Sequence, residues 1–133
     1  MATQSFLTEA DMGVLEKAGD HRRYAKGEII LQQRSECDRL FFVVQGIVQI
    51  DFSRFYGNDL LAHLGSRDLF GEVSLLLGTR ASANAIAVDE VETLEIPYPN
   101  LESLLAADDA FTARFYKSLA FTLARRLRSG NRD

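Results

Sequence analysis

A glycine followed by a glutamate, inside the run Asp68–Ala83, is the feature of this sequence with the clearest capacity for chemistry. Gly71 has no side chain, so backbone amides there are able to approach an anion closely. Glu72 does not itself bind a phosphate, but its carboxylate accepts hydrogen bonds from sugar hydroxyls. The pair therefore suits a ribose phosphate. An ordinary glycine turn is the alternative that these two residues alone leave open.

The other polar residues form no pattern typical of a catalytic or metal site. His21 and His63 are isolated, and neither has cysteines or carboxylates at metal-ligand spacing. No nucleophile with a partner base and no pair of carboxylates stands out. Cys37 is the only cysteine, which excludes an internal disulfide and favours a reducing cytoplasm. We therefore expect a cytoplasmic protein that is not an enzyme and holds no metal or cofactor.

The composition is typical of an ordinary folded domain. The chain has 133 residues, of which 47% are hydrophobic and 26% charged, and its net charge is −4. This acidity disfavours a nucleic-acid surface, since duplex binders usually carry a basic face. No apolar run reaches the roughly 18 residues of a membrane span, and residues 1–5 lack a signal-peptide pattern. We predict a single domain over residues 1–133 that contacts neither membrane nor DNA directly.

Short apolar runs and glycines predict a β-rich middle segment between helical ends. A helix is expected from Thr8 to Ala18, with Thr8 and Asp11 in a capping arrangement. Strands are predicted at 27–31, 40–44, 47–50, 59–63, 83–88 and 91–96, with a tight turn at Gly46. Many short strands with glycine turns are typical of an antiparallel barrel, sandwich or roll. The predicted segments are an N-terminal helical part (1–20), a β part (21–97) and C-terminal helices (98–130).

Two helices are predicted after Pro97, the first with Pro99 in its opening turn. The second runs from about Asp109 to Arg128 and carries an apolar stripe with one residue every four positions: Phe111, Phe115, Leu119, Leu123 and Leu127. Its other face is apolar too, so the helix either covers its own barrel with a wide stripe or pairs with a second copy in a homodimer. The cluster Arg125, Arg126 and Arg128 is interpreted as charges that favour a helix C-terminus.

The run Phe70-Gly71-Glu72-Val73-Ser74-Leu75 resembles the phosphate-binding cassette of cyclic nucleotide-binding domains. Those domains are sensors in bacterial cyclic-AMP-receptor regulators, protein kinase A regulatory subunits and nucleotide-gated channels. The run fits the family signature apolar-Gly-Glu-x-small-apolar at every position, and a second signature matches Ile30-Leu31, Cys37, Leu40-Phe41-Phe42-Val43 and Gly46. The resemblance covers essentially the whole chain. It implies an α+β fold: an antiparallel β-roll (a double-stranded β-helix, jelly-roll-like) with an N-terminal helix, a short helix in the cassette and C-terminal helices.

The resemblance also implies roles for individual residues. Glu72 corresponds to the residue that binds the ribose 2′-hydroxyl, and Ser82 to the small hydroxyl residue beside the phosphate-binding arginine. Val48 and Leu61 are assigned to the base pocket from their strand positions. The phosphate and ribose site is expected to be lined by the cassette, chiefly through backbone amides: Gly71, Glu72, Val73 and Ser74. The candidate ligand is cyclic AMP or cyclic GMP.

Two departures from the family pattern qualify this assignment. Ala81 stands where the phosphate-binding arginine belongs, and Arg80 stands one position earlier. In an extended strand a one-residue shift turns a side chain to the opposite face, so Arg80 is either a solvated loop charge or a substitute that reaches back. A lost charged hydrogen bond costs about 1.5–3 kcal/mol, or roughly 10- to 150-fold in affinity. Arg34 stands where the family usually has glycine, which predicts strain if that position needs positive φ.

Two functions follow from these observations. In the first, a cyclic nucleotide binds with weakened affinity, and the final helix changes position and signals to an unknown partner protein. In the second, the pocket is degenerate and the domain is a ligand-independent protein-interaction or dimerisation module. Glu72 favours the first function and Ala81 favours the second. Only three residues follow Gly130, so we expect a stand-alone sensor without the helix-turn-helix domain of the family's transcription factors; a fragment of a longer regulator is the alternative.

Overall fold

The computed structural model describes residues 6–130. The ends of the predicted domain, residues 1–5 and 131–133, lie outside the described residues. In chain order the described elements are α1 (Glu9–Ala18), β1 (Asp20–Tyr24), β2 (Ile29–Leu31), β3 (Arg39–Gln45), β4 (Val48–Arg54), β5 (Gly57–Leu64), β6 (Leu69–Phe70), α2 (Glu72–Leu77), β7 (Asn84–Ala87), β8 (Val91–Pro97), α3 (Tyr98–Ala107) and α4 (Asp109–Gly130). None of these helices is both long enough and apolar enough to cross a membrane.

The strands form two four-stranded antiparallel sheets. One has the order β1-β8-β3-β6 and the other the order β2-β7-β4-β5. The helices α1, α3 and α4 cover the first sheet, and α2 is inserted between β6 and β7. This architecture confirms the predicted antiparallel β-roll with an N-terminal helix, a cassette helix and C-terminal helices.

The apolar run of β3 explains how two cores are built on one sheet. Alternate residues of a strand point to opposite faces, so both faces of an unbroken apolar run are buried. Phe41 and Val43 belong to the core between the two sheets, and the rings of Phe41 and Phe70 stack there at 4.6 Å. Leu40 and Phe42 point the other way, into the core that the sheet shares with the helices.

A salt bridge joins helix α1 to helix α4. Thr8 caps α1, and Asp11 completes the predicted capping box. Arg114 of α4 donates to the two carboxylate oxygens of Asp11 at 2.7 and 2.9 Å. Hydrogen bonding to this guanidinium lowers the pKa of Asp11 to about 2, despite the opposing effect of burial. The first half of α4 is therefore anchored to α1.

The apolar stripe predicted for α4 is correct over its first half and wrong at its end. Phe111, Phe115 and Leu119 are buried, whereas the side chain of Leu127 is 65% exposed. A spacing of four residues drifts around a helix of 3.6 residues per turn. The buried face consequently shifts to Thr122 by the end of the helix. The residue one turn later on that face is Arg126, and not the predicted Leu127.

Two strands, β1 and β6, were not predicted. The sequence of β1 is Asp-His-Arg-Arg-Tyr, and only its last residue is buried, because β1 is an edge strand that pairs with β8 alone. Strand β6 has two residues, too few for an alternating pattern. Position 34 does have the positive φ under which the sequence predicts strain, since Arg34 has φ 71°. The turn at Gly46 is confirmed as well, with φ 94°.

Candidate functional site

A cavity of about 430 Å³ lies between the cassette, the second sheet and the last turns of α4. This volume falls within the range of small-molecule sites, about 300–1,000 Å³. Its walls are mainly apolar, which suits a flat heterocycle, and its polar groups are concentrated at the cassette. The lining residues are Leu31, Ile50, Leu61, Ala62, Phe70, Gly71, Glu72, Val73, Ser74, Ala81, Ser82, Ala83, Ala85, Leu123, Arg126 and Leu127.

Gly71 begins the cassette in a conformation that only glycine adopts readily. Its φ is 89°, and it directly precedes α2. A Cβ atom at this position would lie 2.8 Å from the backbone oxygen of Arg39 and 3.2 Å from a ring carbon of Phe41. The glycine is thus required both by its backbone conformation and by the close approach of β3. The turn at Gly71 places the next residue, Glu72, at the cavity wall.

Tyr98, the first residue of α3, supports this turn from behind. Its hydroxyl donates to the backbone oxygen of Gly71 at 2.6 Å, and it lies 3.2 Å from the thiol of Cys37. Burial raises the pKa of Tyr98 well above its ordinary value, so the phenol keeps the proton that it donates. The left-handed turn of the cassette is therefore bonded to the first turn of the C-terminal helices.

Glu72 is paired with an arginine from the opposite wall of the cavity. Nη1 of Arg126 donates to Oε2 of Glu72 at 3.3 Å, and Nη2 of Arg126 donates to the backbone oxygen of Leu69. The two side chains are 9% and 23% exposed for Glu72 and Arg126, so water screens the pair only partly. The end of α4 is thereby held against the cassette by a charge-assisted contact.

Comparison with known proteins identifies the family of this chain. Residues 21–108 match the family profile of the cyclic nucleotide-binding domain. The chain belongs to this family. The match confirms the resemblance that the cassette indicated.

Three similar proteins illustrate the relationship. The cyclic AMP receptor protein of Thermus thermophilus is 33% identical over 111 residues, which cover 83% of this chain and 50% of that protein. The structure of the Thermus thermophilus catabolite activator protein has a TM-score of 0.79 at 31% identity and covers 94% of this chain and 57% of that chain. The global regulator CLP of Xanthomonas campestris, described as responsive to c-di-GMP, has a TM-score of 0.89 at 20% identity, covers 94% of this chain and 62% of that chain, and shows the fold alone. The chain spans half the length of the Thermus receptor and smaller shares of the other curated relatives that it matches.

The domain brings most of the predicted site residues to one cavity. Leu61 and Ser82 line it as exposed side chains, and Ala81 lines it as a buried one. The cassette residues form its polar side: Gly71, Glu72, Val73 and Ser74. Their roles toward a ligand stay predictions. Within residues 6–130, no group of three or more histidine, cysteine or carboxylate side chains is arranged to hold a metal.

Val48 is placed elsewhere, which corrects its assignment to the base pocket. It is fully buried between the two sheets, opposite Leu64 on β5. Two residues further along the same face of β4, Ile50 does line the cavity. The predicted face of the strand is therefore correct, but the cavity begins two residues beyond Val48, at Ile50.

Arg80 also lies outside the cavity lining, which corrects its inclusion among the site residues. Its guanidinium donates to the backbone oxygen of Arg34 at 3.2 Å and lies 3.6 Å from the carboxylate of Glu36. The side chain is 65% exposed. These contacts hold the side chain on the loop that contains Arg34 and Glu36, and not on the cavity wall that Ala81 lines. Arg80 is thus a solvated loop charge in this structure.

Arg126 is the site residue that the sequence analysis missed. It was interpreted as one of three helix-end charges, together with Arg125 and Arg128. The signal that identifies it is its spacing: Arg126 lies four residues after Thr122 and seven after Leu119, and both of those residues are buried. A cation on the buried face of a helix requires a partner, and Glu72 is that partner.

Proposed function

We propose that this domain binds a cyclic nucleotide of the cyclic AMP or cyclic GMP type, and that it is a sensor rather than an enzyme, with no further cofactor. One observation carries the proposal: the buried carboxylate of Glu72 follows a left-handed Gly71 at the edge of an otherwise apolar cavity. A carboxylate in this place accepts hydrogen bonds from ribose hydroxyls, and the family cassette supplies backbone amides for a phosphate.

The cavity lining suggests how such a ligand is oriented. The ribose lies against Glu72, and the cyclic phosphate lies near the start of α2 with the hydroxyl of Ser82 beside it. The base then occupies the apolar end of the cavity, between Leu61 of β5 and Leu123 of α4. Ala81 contributes no charge to the phosphate, so we expect weaker binding than an arginine there would give, by roughly 10- to 150-fold.

A double-mutant cycle tests the ribose contact. Binding of cyclic AMP and 2′-deoxy cyclic AMP is measured by calorimetry for wild type, Glu72→Gln and the exposed control Glu102→Gln. We expect Glu72→Gln to weaken cyclic AMP binding by about 1.5–3 kcal/mol, and to affect the deoxy compound much less. Equal losses for the two nucleotides would show that Glu72 does not contact the ribose. The same titrations with cyclic GMP and cyclic di-GMP establish the preferred ligand.

The output of the sensor is proposed to pass through α4 to a partner protein. The first half of α4 is anchored to α1 through Arg114, whereas its last turns form one wall of the cavity. A ligand that binds one position of these last turns better than another shifts the helix toward that position. Hydrogen exchange of residues 120–128 with and without nucleotide measures the shift; unchanged exchange at saturation contradicts it. A net charge of −4 supports a protein partner over DNA, and the free thiol of Cys37 supports a cytoplasmic setting.

The alternative function, a ligand-independent dimerisation module, is supported by the outer face of α4. Tyr116 is an exposed large apolar residue there, and Ala120 and Ala124 are exposed one and two turns further along. We propose that this face packs against the same helix of a second copy in a homodimer. Light scattering after size exclusion tests the pairing: a monomer at high protein concentration contradicts it. Dimerisation without nucleotide, together with silent titrations, favours the module over the sensor.

A further inference from the structure

Among the described residues, two charged side chains line the cavity: Glu72 and Arg126. Their oxygen and nitrogen atoms lie 3.3 Å apart, and both side chains are largely shielded from solvent. Their charges cancel, so the cavity lining is electrically neutral. Because Ala81 has no charge and Arg80 lies outside, Arg126 alone offsets the carboxylate within this lining.

This balance decides which ligands the cavity tolerates. A cyclic phosphodiester carries one negative charge. Without the guanidinium of Arg126, it would enter a partly desolvated space whose remaining charge is the carboxylate of Glu72, and like charges in such a space repel each other. With the guanidinium present, the phosphate meets a planar donor fork of the kind that suits phosphate oxygens.

The pair retains hydrogen-bonding capacity for a ligand. A guanidinium carries five N–H donors, and the contacts to Glu72 and to the Leu69 oxygen use one from each terminal nitrogen. A carboxylate likewise has about four acceptor positions. A ribose hydroxyl is therefore able to donate to Glu72 while Arg126 turns part of its fork toward the phosphate.

The location of this charge on α4 has a mechanical consequence. Arg126 lies twelve residues beyond Arg114, the residue that anchors α4 to α1. At 1.5 Å per residue the two are about 18 Å apart along the helix. A phosphate-binding arginine at position 81 belongs to the roll, whereas Arg126 belongs to the last turns of α4. A phosphate that binds Arg126 thus holds those turns against the cavity.

Resting on the proposed function, we propose that Arg126 is a specificity-determining residue of this domain. It supplies the positive charge that position 81 lacks, selects anionic nucleotides over neutral nucleosides, and ties the end of α4 to the bound phosphate. The ligand's charge is thereby recognised by the helix itself.

Calorimetric titration with cyclic AMP and cyclic GMP tests this role in wild type, Ala81→Arg, Arg126→Gln and Arg128→Gln. The last variant removes the same charge from an exposed position on the same helix. We expect Arg126→Gln to weaken binding by about 10- to 100-fold and Arg128→Gln to leave it unchanged. We further expect the double variant Ala81→Arg with Arg126→Gln to recover most of the lost affinity, since it returns one positive charge to the lining.

The outcomes separate this inference from the proposed function. The inference is overturned if Arg126→Gln binds the nucleotide as tightly as wild type or more tightly, because Arg126 then only blocks Glu72 from the ligand. The inference is also overturned if wild type shows no measurable binding while Ala81→Arg binds. If neither wild type nor Ala81→Arg binds cyclic AMP or cyclic GMP, the proposed function itself fails. Should circular dichroism show Arg126→Gln unfolded, a neutral methyl triester of cyclic AMP replaces the variant: equal affinity of wild type for the triester and cyclic AMP overturns the inference.

Discussion

The salt bridge between α1 and α4 makes the stability of this domain depend on pH in the acid range. Arg114 binds both carboxylate oxygens of Asp11, at 2.7 and 2.9 Å, and lowers the pKa of Asp11 from 3.8 to about 2. We predict that Asp11→Asn destabilises the fold at neutral pH and removes part of its acid sensitivity. Asparagine keeps an oxygen that accepts from the amide of Thr8, so the variant isolates the charge from the helix cap.

The sign and size follow from proton linkage. A carboxyl whose pKa is lower in the folded than in the unfolded chain stabilises the fold above its unfolded pKa. This stabilisation is lost as the pH falls through the folded value, so the window for Asp11 runs from about pH 4 down to about pH 2. Nearly two pKa units correspond to about 2 kcal/mol, and solvent screening of the partly exposed Arg114 reduces this to about 1–2 kcal/mol.

Urea unfolding at about pH 6 and about pH 2.5 measures the effect in wild type, Asp11→Asn and the exposed control Asp20→Asn. At the higher pH, we expect Asp11→Asn to lower the free energy of unfolding by about 1–2 kcal/mol. At the lower pH, the difference in free energy of unfolding between Asp11→Asn and wild type should be less than half as large. A gap that is the same at both pH values would refute the reasoning, because the loss would then come from packing and not from the charge.

Two further predictions concern the cassette. Tyr98→Phe removes the donor to the Gly71 oxygen and should lower the free energy of unfolding by about 1 kcal/mol and weaken nucleotide binding; an unchanged affinity would exclude any role of Tyr98 in positioning the cassette. Gly71→Ala places a Cβ atom 2.8 Å from a backbone oxygen at φ 89° and should cost at least about 1–2 kcal/mol, measured by urea unfolding. Gly78→Ala is its control, since φ there is 69° but a Cβ atom meets nothing within 4 Å, so equal losses would contradict the steric part of the reasoning.

Much of the fold was predictable because its signals are local. The capping box at Thr8 and Asp11 and the strand over 40–44 are set by neighbouring residues, and the structure confirms both. Strand β1 was missed for the opposite reason. Its residues are mostly polar and exposed, and it is a strand because β8 offers it a partner more than sixty residues away in the chain. Pairing at that distance leaves no pattern in the local sequence.

The site was predictable where a motif fixes it and not where packing fixes it. Gly71 and Glu72 were found because the cassette is contiguous in the chain. Arg126 was missed because its role depends on the phase of a long helix, and a repeat of four residues misplaces that phase by about 40° per repeat. Val48 was misplaced because alternation gives the face of a strand but not where along it a cavity begins.

The most direct test of a nucleotide sensor is a calorimetric titration of the wild-type chain with cyclic AMP and cyclic GMP, with neutral adenosine as the comparison. We predict saturable binding of at least one cyclic nucleotide at one site per chain. We also predict markedly weaker binding of adenosine, because Arg126 offsets the charge of Glu72 in the cavity, so that the lining accepts the one negative charge of a cyclic nucleotide. Absence of measurable binding for both cyclic nucleotides, or equal binding of adenosine, would contradict these predictions.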